Sequence, residues 1–263
     1  MPDALVLAGG QPNPVLAPGA PNKSFALLLG RPMVEFVLAA LRGASSIRRI
    51  ALVAPPPVSA AVAAIVNVPV AERASLLENV SAGLAALEGS GRVLVLGADI
   101  PLVTPGMIDV FVETAGALDA DIVYAVVRRD DALREFPRVR KTFVRLRDGV
   151  LTGGSLILLD PGAYTRARPA IERAIQARKR PWELARLFGM RTVLGLLTGT
   201  LQLPALERRA EALTGVRARA LICSSPEVGM DVDTAEMLAI VEERLAARPA
   251  PAAPWPVQGL PGP

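Results

Sequence analysis

The chain has 263 residues, 51% of them apolar and only 4% aromatic, a length that accommodates one large α/β domain or two small ones around a sizeable core. Its formal net charge is +4 and it contains no histidine, which removes Ser-His-Asp hydrolysis, His-ligated zinc and imidazole acid–base chemistry together. A lone cysteine, Cys223, excludes an intramolecular disulfide framework and a cysteine-built zinc site, so a metal would be held mainly by oxygen ligands, which suits magnesium or manganese.

The first apolar run, residues 4–8, is short enough for a buried strand and ends in Gly9 and Gly10, which let the backbone turn sharply or approach a ligand. A long proline-bearing loop leads to Lys23. Phe36, Val37, Ala40 and Leu41 then recur at helical spacing, with Pro32 suited to the first turn. A glycine-rich turn after the first strand of an α/β protein is a natural phosphate cradle. Residues 47–54 read as a second strand, and "ASLLENVSAGLAAL" as an amphipathic helix with Leu76, Val80, Leu84 and Leu87 on one face. The apolar strand 93–96 runs straight into Asp99. "ADIVYAVVR" is another strand, and "RKTFVRLRDGVLTGGSLILLD" reads as two strands joined at Asp148-Gly149.

Helical patterns fill residues 164–213. "RARALICS" is the last strand and "DTAEMLAIVEERLAA" the last helix, with Asp233 and Thr234 as caps. The body is expected to span residues 1–247 as one unit, followed by a Pro/Gly-rich disordered tail over 248–263. Short, interrupted apolar segments and an N-terminus without a leader pattern give the expectation of a cytoplasmic protein with no membrane span.

Basic residues cluster at Arg128, Arg129, Arg134, Arg138, Arg140, Lys141, Arg145 and Arg147, and again at Arg178-Lys179-Arg180. No nucleic-acid-binding signature accompanies them, which leaves a solvated Arg-rich surface or a small anionic substrate. Among 29 basic residues only Lys23, Lys141 and Lys179 are lysines, and an ammonium is not interchangeable with a guanidinium. Asp99, at the end of an apolar strand, falls on the edge where open α/β sheets bind ligands. Asp231 and Asp233 follow another apolar segment, and two such carboxylates can share one divalent cation. The competing roles are a turn for Asp99 and helix capping for the Asp-Val-Asp pair.

In this order "LVLAGG", Lys23 in "PNKSFALLLGRPMVEFVLAAL", "GADIPLVTPGMID", "TGG" and "DVDTAEML" resemble the MobA-like nucleotidyltransferases over residues 3–245. The resemblance implies a single Rossmann-like domain of the glycosyltransferase-A type, three-layered with a mostly parallel mixed sheet. It implies transfer of an NMP from an NTP to a phosphorylated or hydroxylated acceptor, with magnesium or manganese and release of pyrophosphate. Carried onto this chain, it puts the backbone of Leu7, Ala8, Gly9 and Gly10 around the nucleotide and Lys23 on a phosphate. Asp99 with Asp231 or Asp233 holds the metal, and Ser75 and Asn79 contact base or ribose. Gly153 and Gly154 present amides to a small anionic acceptor, and Lys141 supplies a second cation.

One departure stands out. Many members carry an arginine after the double glycine, whereas residues 11–22 here contain no cation. Losing a charge-assisted phosphate contact costs on the order of a few kcal/mol, so either another cation meets the leaving group or the enzyme is weak or altered in substrate. The alternating segment "RVRKTFVRLR" is the nearest source, with Arg138 and Arg140 on one face of a regular strand and Lys141 on the other. A Rossmann dehydrogenase is a poor fit, because "GGQPNP" lacks the glycine spacing and "LVAPPP" supplies no acid. A non-catalytic nucleotide-binding module and a glycosyltransferase of the same fold are the competing classes.

Overall fold

A computed structural model of the protein describes residues 1–177 and 180–248; Arg178, Lys179 and the tail from 249 onward lie outside the described residues. In chain order the elements are β1 (Asp3–Leu7), β2 (Leu27–Leu28), β3 (Arg31–Pro32), α1 (Met33–Gly43), β4 (Ile50–Ala54), α2 (Ala60–Ile65), β5 (Val68–Ala71), α3 (Leu76–Ala86), β6 (Val93–Gly97) and α4 (Pro105–Gly116). They continue with β7 (Ile122–Arg128), α5 (Arg129–Glu135), β8 (Val144–Leu146), β9 (Gly149–Leu159), α6 (Pro161–Ala177), α7 (Pro181–Phe188), α8 (Met190–Thr198), α9 (Leu203–Thr214), β10 (Ala218–Cys223) and α10 (Ala235–Ala246). Among the described residues, no helix is long and apolar enough to cross a membrane.

One eight-stranded sheet runs β10-β7-β9-β6-β1-β4-β5, with β8 paired to β9. All of the neighbours are parallel except around β9, which is antiparallel to β6, β7 and β8. Strands β4 and β6, and β1 after its first residue Asp3, are apolar because both faces are covered. Leu5, Val53 and Val95 meet Val80 and Leu84 of α3, whereas Val6, Leu52 and Leu96 join the larger core with α1, α4 and α10. Parallel strands place their C-terminal ends, and hence Leu7 and Gly97, along one edge.

Several boundaries differ from the sequence expectation. The second strand begins at Ile50 rather than 47; just before it, the side chains of Arg48 and Arg49 turn to the fully buried Asp3. The helical stretch 164–213 is four helices, with breaks at Gly189 and Gly199, both at positive φ. Residues 137–143 form no strand; regular pairing starts only at Val144. The alternation expected for Arg138, Arg140 and Lys141 therefore does not apply. Pro32 precedes α1 as its cap residue, and Thr234, not Asp233, caps α10 by accepting from the Met237 amide.

Asp3 is held by Arg48 Nε at 2.9 Å, Arg49 Nη2 at 2.6 Å and Ser90 Oγ at 2.5 Å. Burial works to raise its pKa, but these donors outweigh burial and hold the carboxyl well below the usual range. A depressed carboxylate contributes stability that is full above the unfolded value near ~4 and lost as pH falls below it. Asp3→Asn is expected to lower unfolding free energy by about 2 kcal/mol at pH 7. The deficit relative to the parent should shrink on titration to pH 2, read by urea melts at both pH values.

Candidate active site

At the end of β1 the backbone turns at Gly10, whose φ of +144° is a conformation that side chains rarely adopt. Gly9 has no room for a side chain: a Cβ would stand 2.6 Å from Glu72 Oε1 and 2.9 Å from Asn79 Nδ2. The Gly10 amide donates to Glu72 Oε1 at 2.6 Å, and the Arg73 amide donates to Asn79 Oδ1 at 2.6 Å. Asn79 is buried, and Ser75 caps α3 by accepting from the Glu78 amide at 3.3 Å. The β5–α3 connection is thereby fastened against the glycine turn. It forms one wall of a cleft of about 740 Å³ that also takes in Asp99 and Gly154.

The long loop returns to this turn through Asn22. Its buried Nδ2 donates to Ala8 O at 2.8 Å, and its Oδ1 accepts from the Ser24 amide at 2.9 Å. The short helical turn that follows begins at Lys23. Lys23 Nζ lies 2.7 Å from Asp99 Oδ2 and also donates to Asp233 Oδ1. Lys141 Nζ donates to Asp231 Oδ1 and to the Gly229 carbonyl. The Val232 amide bonds to Asp99 O at 2.8 Å, and Val232 itself is fully buried. That tie brings the Asp-Val-Asp segment against the end of β6, with its two carboxylates serving different lysines. Three aspartates and two lysines thus gather on the sheet edge.

Their charges are coupled. Burial pulls the Lys23 pKa down, but Asp99 and Asp233 outweigh it and raise the value, so the ammonium is charged. Asp231 is raised by burial and by its hydrogen bond with Asp233, against the opposing pull of Lys141. For Asp233, burial is overcome by its contacts with Asp231 and Lys23, and its pKa falls. Asp233 is therefore the more acidic member of the pair.

Of the residues singled out from sequence, Leu7, Gly9, Gly10, Ser75, Asn79, Asp99 and Gly154 line the cleft. Lys23, Lys141, Asp231 and Asp233 form the charged cluster around Asp99. Ala8 is a correction: its side chain is buried, its amide bonds Val53 O at 2.8 Å and its carbonyl is taken by Asn22, so it offers a ligand nothing. Gly153 pairs with Val126 in the β7–β9 ladder and is not part of the cleft wall. Leu76, expected on the packed face of α3, is 58% exposed and lines the cleft. Arg138 turns away to Glu243 at 3.1 Å. Sequence reasoning missed Asn22, Glu72 and Tyr124. Asn22 carried a usable signal, an asparagine capping the turn that presents Lys23.

The geometry also bears on a divalent cation. Asp99 and Asp233 meet one ammonium, so two hard oxygen donors converge on one cation position. Among the described residues, no three acidic, histidine or cysteine side chains form a metal-binding group. A carboxylate pair fits magnesium, which is usually held by one or two carboxylates together with substrate phosphates and water.

The model of the MobA-like NTP transferase domain matches residues 4–194. A hypothetical transferase from Thermus thermophilus is similar at 41% identity and a TM-score of 0.80, with 90% of this chain and 99% of that one covered. A CMP:2-keto-3-deoxy-manno-octonic acid synthetase complexed with CTP shares the fold at 12% identity and a TM-score of 0.58, over 93% and 98% of the two chains. So does a 2-C-methyl-D-erythritol 4-phosphate cytidylyltransferase from Thermus thermophilus, at 14% identity and 0.54, over 94% and 100%. No curated protein matches the chain. The matched domain takes in the glycine turn, the Lys23 loop, Asp99 and the β9 glycines: the chain belongs to the MobA-like NTP transferase family and is a nucleotidyltransferase.

Proposed function

We propose that the chain binds a magnesium–NTP complex across the glycine turn and the Lys23–Asp99 edge, and transfers the NMP to a small anionic acceptor with release of pyrophosphate. The observation that carries this reading is the convergence of Asp99 and Asp233 on the Lys23 ammonium. Asp99 and Asp233 would hold the metal, which supplies charge neutralisation on the phosphates. Asp231 instead positions Lys141.

The reaction forms a bond from an acceptor oxygen to the α-phosphorus. The bond to the bridging oxygen breaks, and its electron pair leaves with pyrophosphate. Such transfer depends on positioning and on neutralising charge, tasks for which a chain without histidine is equipped. A phosphate nucleophile is already deprotonated at neutral pH, so no general base is needed. Lys23 serves the triphosphate, and Lys141, on the other side of the aspartate cluster, serves the acceptor. Glu72, Ser75 and Asn79 line the wall beside the glycine turn, with groups able to hold a base or a ribose hydroxyl.

The test is pyrophosphate release with each of the four NTPs and a panel of phosphorylated and hydroxylated acceptors, with magnesium or with EDTA. Magnesium-dependent release with at least one pair is expected. Tight NTP binding without release from any pair would instead favour a nucleotide-binding module.

A further inference from the structure

The sheet face that carries α3 is not covered across its whole width. A row of directly paired residues crosses it: Ala51 opposite Leu5, Leu5 opposite Val95, Val95 opposite Ile157, and Ile157 opposite Tyr124. Directly paired residues project to the same face. Ala51, Leu5 and Val95 are buried in the core with Val80 and Leu84 of α3, but Ile157 is half-buried and Tyr124 is 38% exposed. On the far side, Ala220 of β10 pairs with Tyr124 and shares a small core with Leu203 of α9. Between α3 and α9 lies α6, whose Tyr164 and Ile171 pack with Ile122, Ile157 and Leu159 at one end of β7 and β9; toward the other end Ile157 and Tyr124 face the cleft. From β6 to β7 is two strand spacings, about 10 Å, close to the width of one helix.

This floor belongs to the cleft. Val95, Ile157 and Tyr124 line it together with Asp99 and the exposed Leu76. Further along the same strands, toward the aspartate cluster, Gly97, Gly154 and Ser155 line it; a Cβ on Gly97 would collide with the Asp99 carboxylate, and one on Gly154 would press on Ala125 and the Val228 carbonyl. The Tyr124 hydroxyl fills the place that a Cβ on Gly153 would take, so glycine at 153 is what admits the phenol. Burial raises the Tyr124 pKa, and the charge of Asp231 raises it further, so the ring stays neutral beneath the cluster.

The floor also has a definite place relative to the nucleotide site. The glycine turn, Ser75 and Asn79 lie on the β1 side of β6, the strand leading to Asp99; Ile157 and Tyr124 lie on the β9–β7 side. A nucleotide reaching from the glycine turn to Lys23 leaves this floor to the second substrate. A polyhydroxylated body there would set its hydroxyls against Ile157 and an aromatic face without partners, whereas an apolar body gains from burial.

Resting on the nucleotidyl-transfer reading, we infer that the acceptor is a phosphate-bearing molecule with an apolar, ring-sized body that lies on the Val95–Ile157–Tyr124 floor. Its phosphate points to the Asp99 edge beside Lys141. Tyr124 sets acceptor specificity by its ring rather than its hydroxyl.

The experiment measures equilibrium binding of phenyl phosphate, glycerol 3-phosphate and the four NTPs to the full chain, to Tyr124→Ala and to Tyr124→Phe. The parent should bind phenyl phosphate about tenfold or more tightly than glycerol 3-phosphate. Tyr124→Ala should abolish that preference and Tyr124→Phe should keep it, with NTP affinity within about twofold in both. Equal binding of the two phosphates by the parent overturns the inference. So does a Tyr124→Ala protein that loses NTP affinity and keeps the phosphate preference, because the floor would then carry the base. A parent that binds no NTP removes the nucleotidyl-transfer reading instead, and the ratio of the two phosphates still judges the floor by itself.

Discussion

Asp99→Asn is expected to weaken magnesium-dependent NTP binding by about 100-fold or more, since even outer partners of metal ligands are worth about 10- to 100-fold. The fold should be almost untouched. The tie between β6 and the Asp-Val-Asp segment runs through the Asp99 backbone carbonyl, which the substitution preserves. The side chain lies on an open edge, so unfolding free energy should stay within about 1 kcal/mol of the parent. Calorimetric titration with NTP in magnesium and in EDTA, paired with a urea melt, separates the two effects. Unchanged magnesium-dependent affinity in the variant would remove Asp99 from the metal site. A large loss of stability would make it a structural turn residue.

Lys23→Ala should produce the second large effect, and its signature is selectivity. A charge-assisted phosphate contact is worth about 1.5–3 kcal/mol, so triphosphate affinity should drop about 10- to 100-fold while nucleoside affinity hardly moves. The difference should narrow at high salt, because screening weakens what the parent gains from the ammonium. Without a nucleotide, Lys23 itself is the cation between Asp99 and Asp233. Its removal leaves two carboxylates facing each other, so Mn2+ alone should bind the variant more tightly than the parent. Equal losses for nucleoside and triphosphate would show that Lys23 merely supports the loop.

The elements legible in the sequence are those whose burial leaves a periodic mark. Strands β1, β4 and β6 stand out because two helical layers leave them no polar residue beyond Asp3 at the start of β1, and α3 and α10 because one face is polar. Helix α2 and strand β5 are silent: "AAVAAI" has no polar face, and "VPVA" is a short edge strand holding a proline. The segment before β8 misleads in the opposite sense. Its alternating arginines mimic a strand, but the backbone over residues 137–143 stays irregular, and Lys141 is carried to Asp231 and Gly229.

Chain ends of strands foretold Asp99 and the glycine turn, because an apolar run stopping at a carboxylate or at glycines marks the binding edge whatever the rest of the fold. Glu72 and Tyr124 gave no comparable signal. Glu72 acts through a loop whose path depends on β5. Tyr124 matters only once it is known which stretch of sheet the helices leave bare, a property of helix placement rather than of its own strand.

On the proposed reading, Asp99 and Asp233 mark where metal and triphosphate meet. Anomalous diffraction from crystals grown with Mn2+ and the NTP that binds most tightly tests it directly. One strong manganese peak coordinated by Asp99 and Asp233 is expected, with the triphosphate completing the shell and Lys23 moved onto a phosphate oxygen. A nucleotide seated elsewhere, or a peak away from both carboxylates with Lys23 still between them, would contradict it.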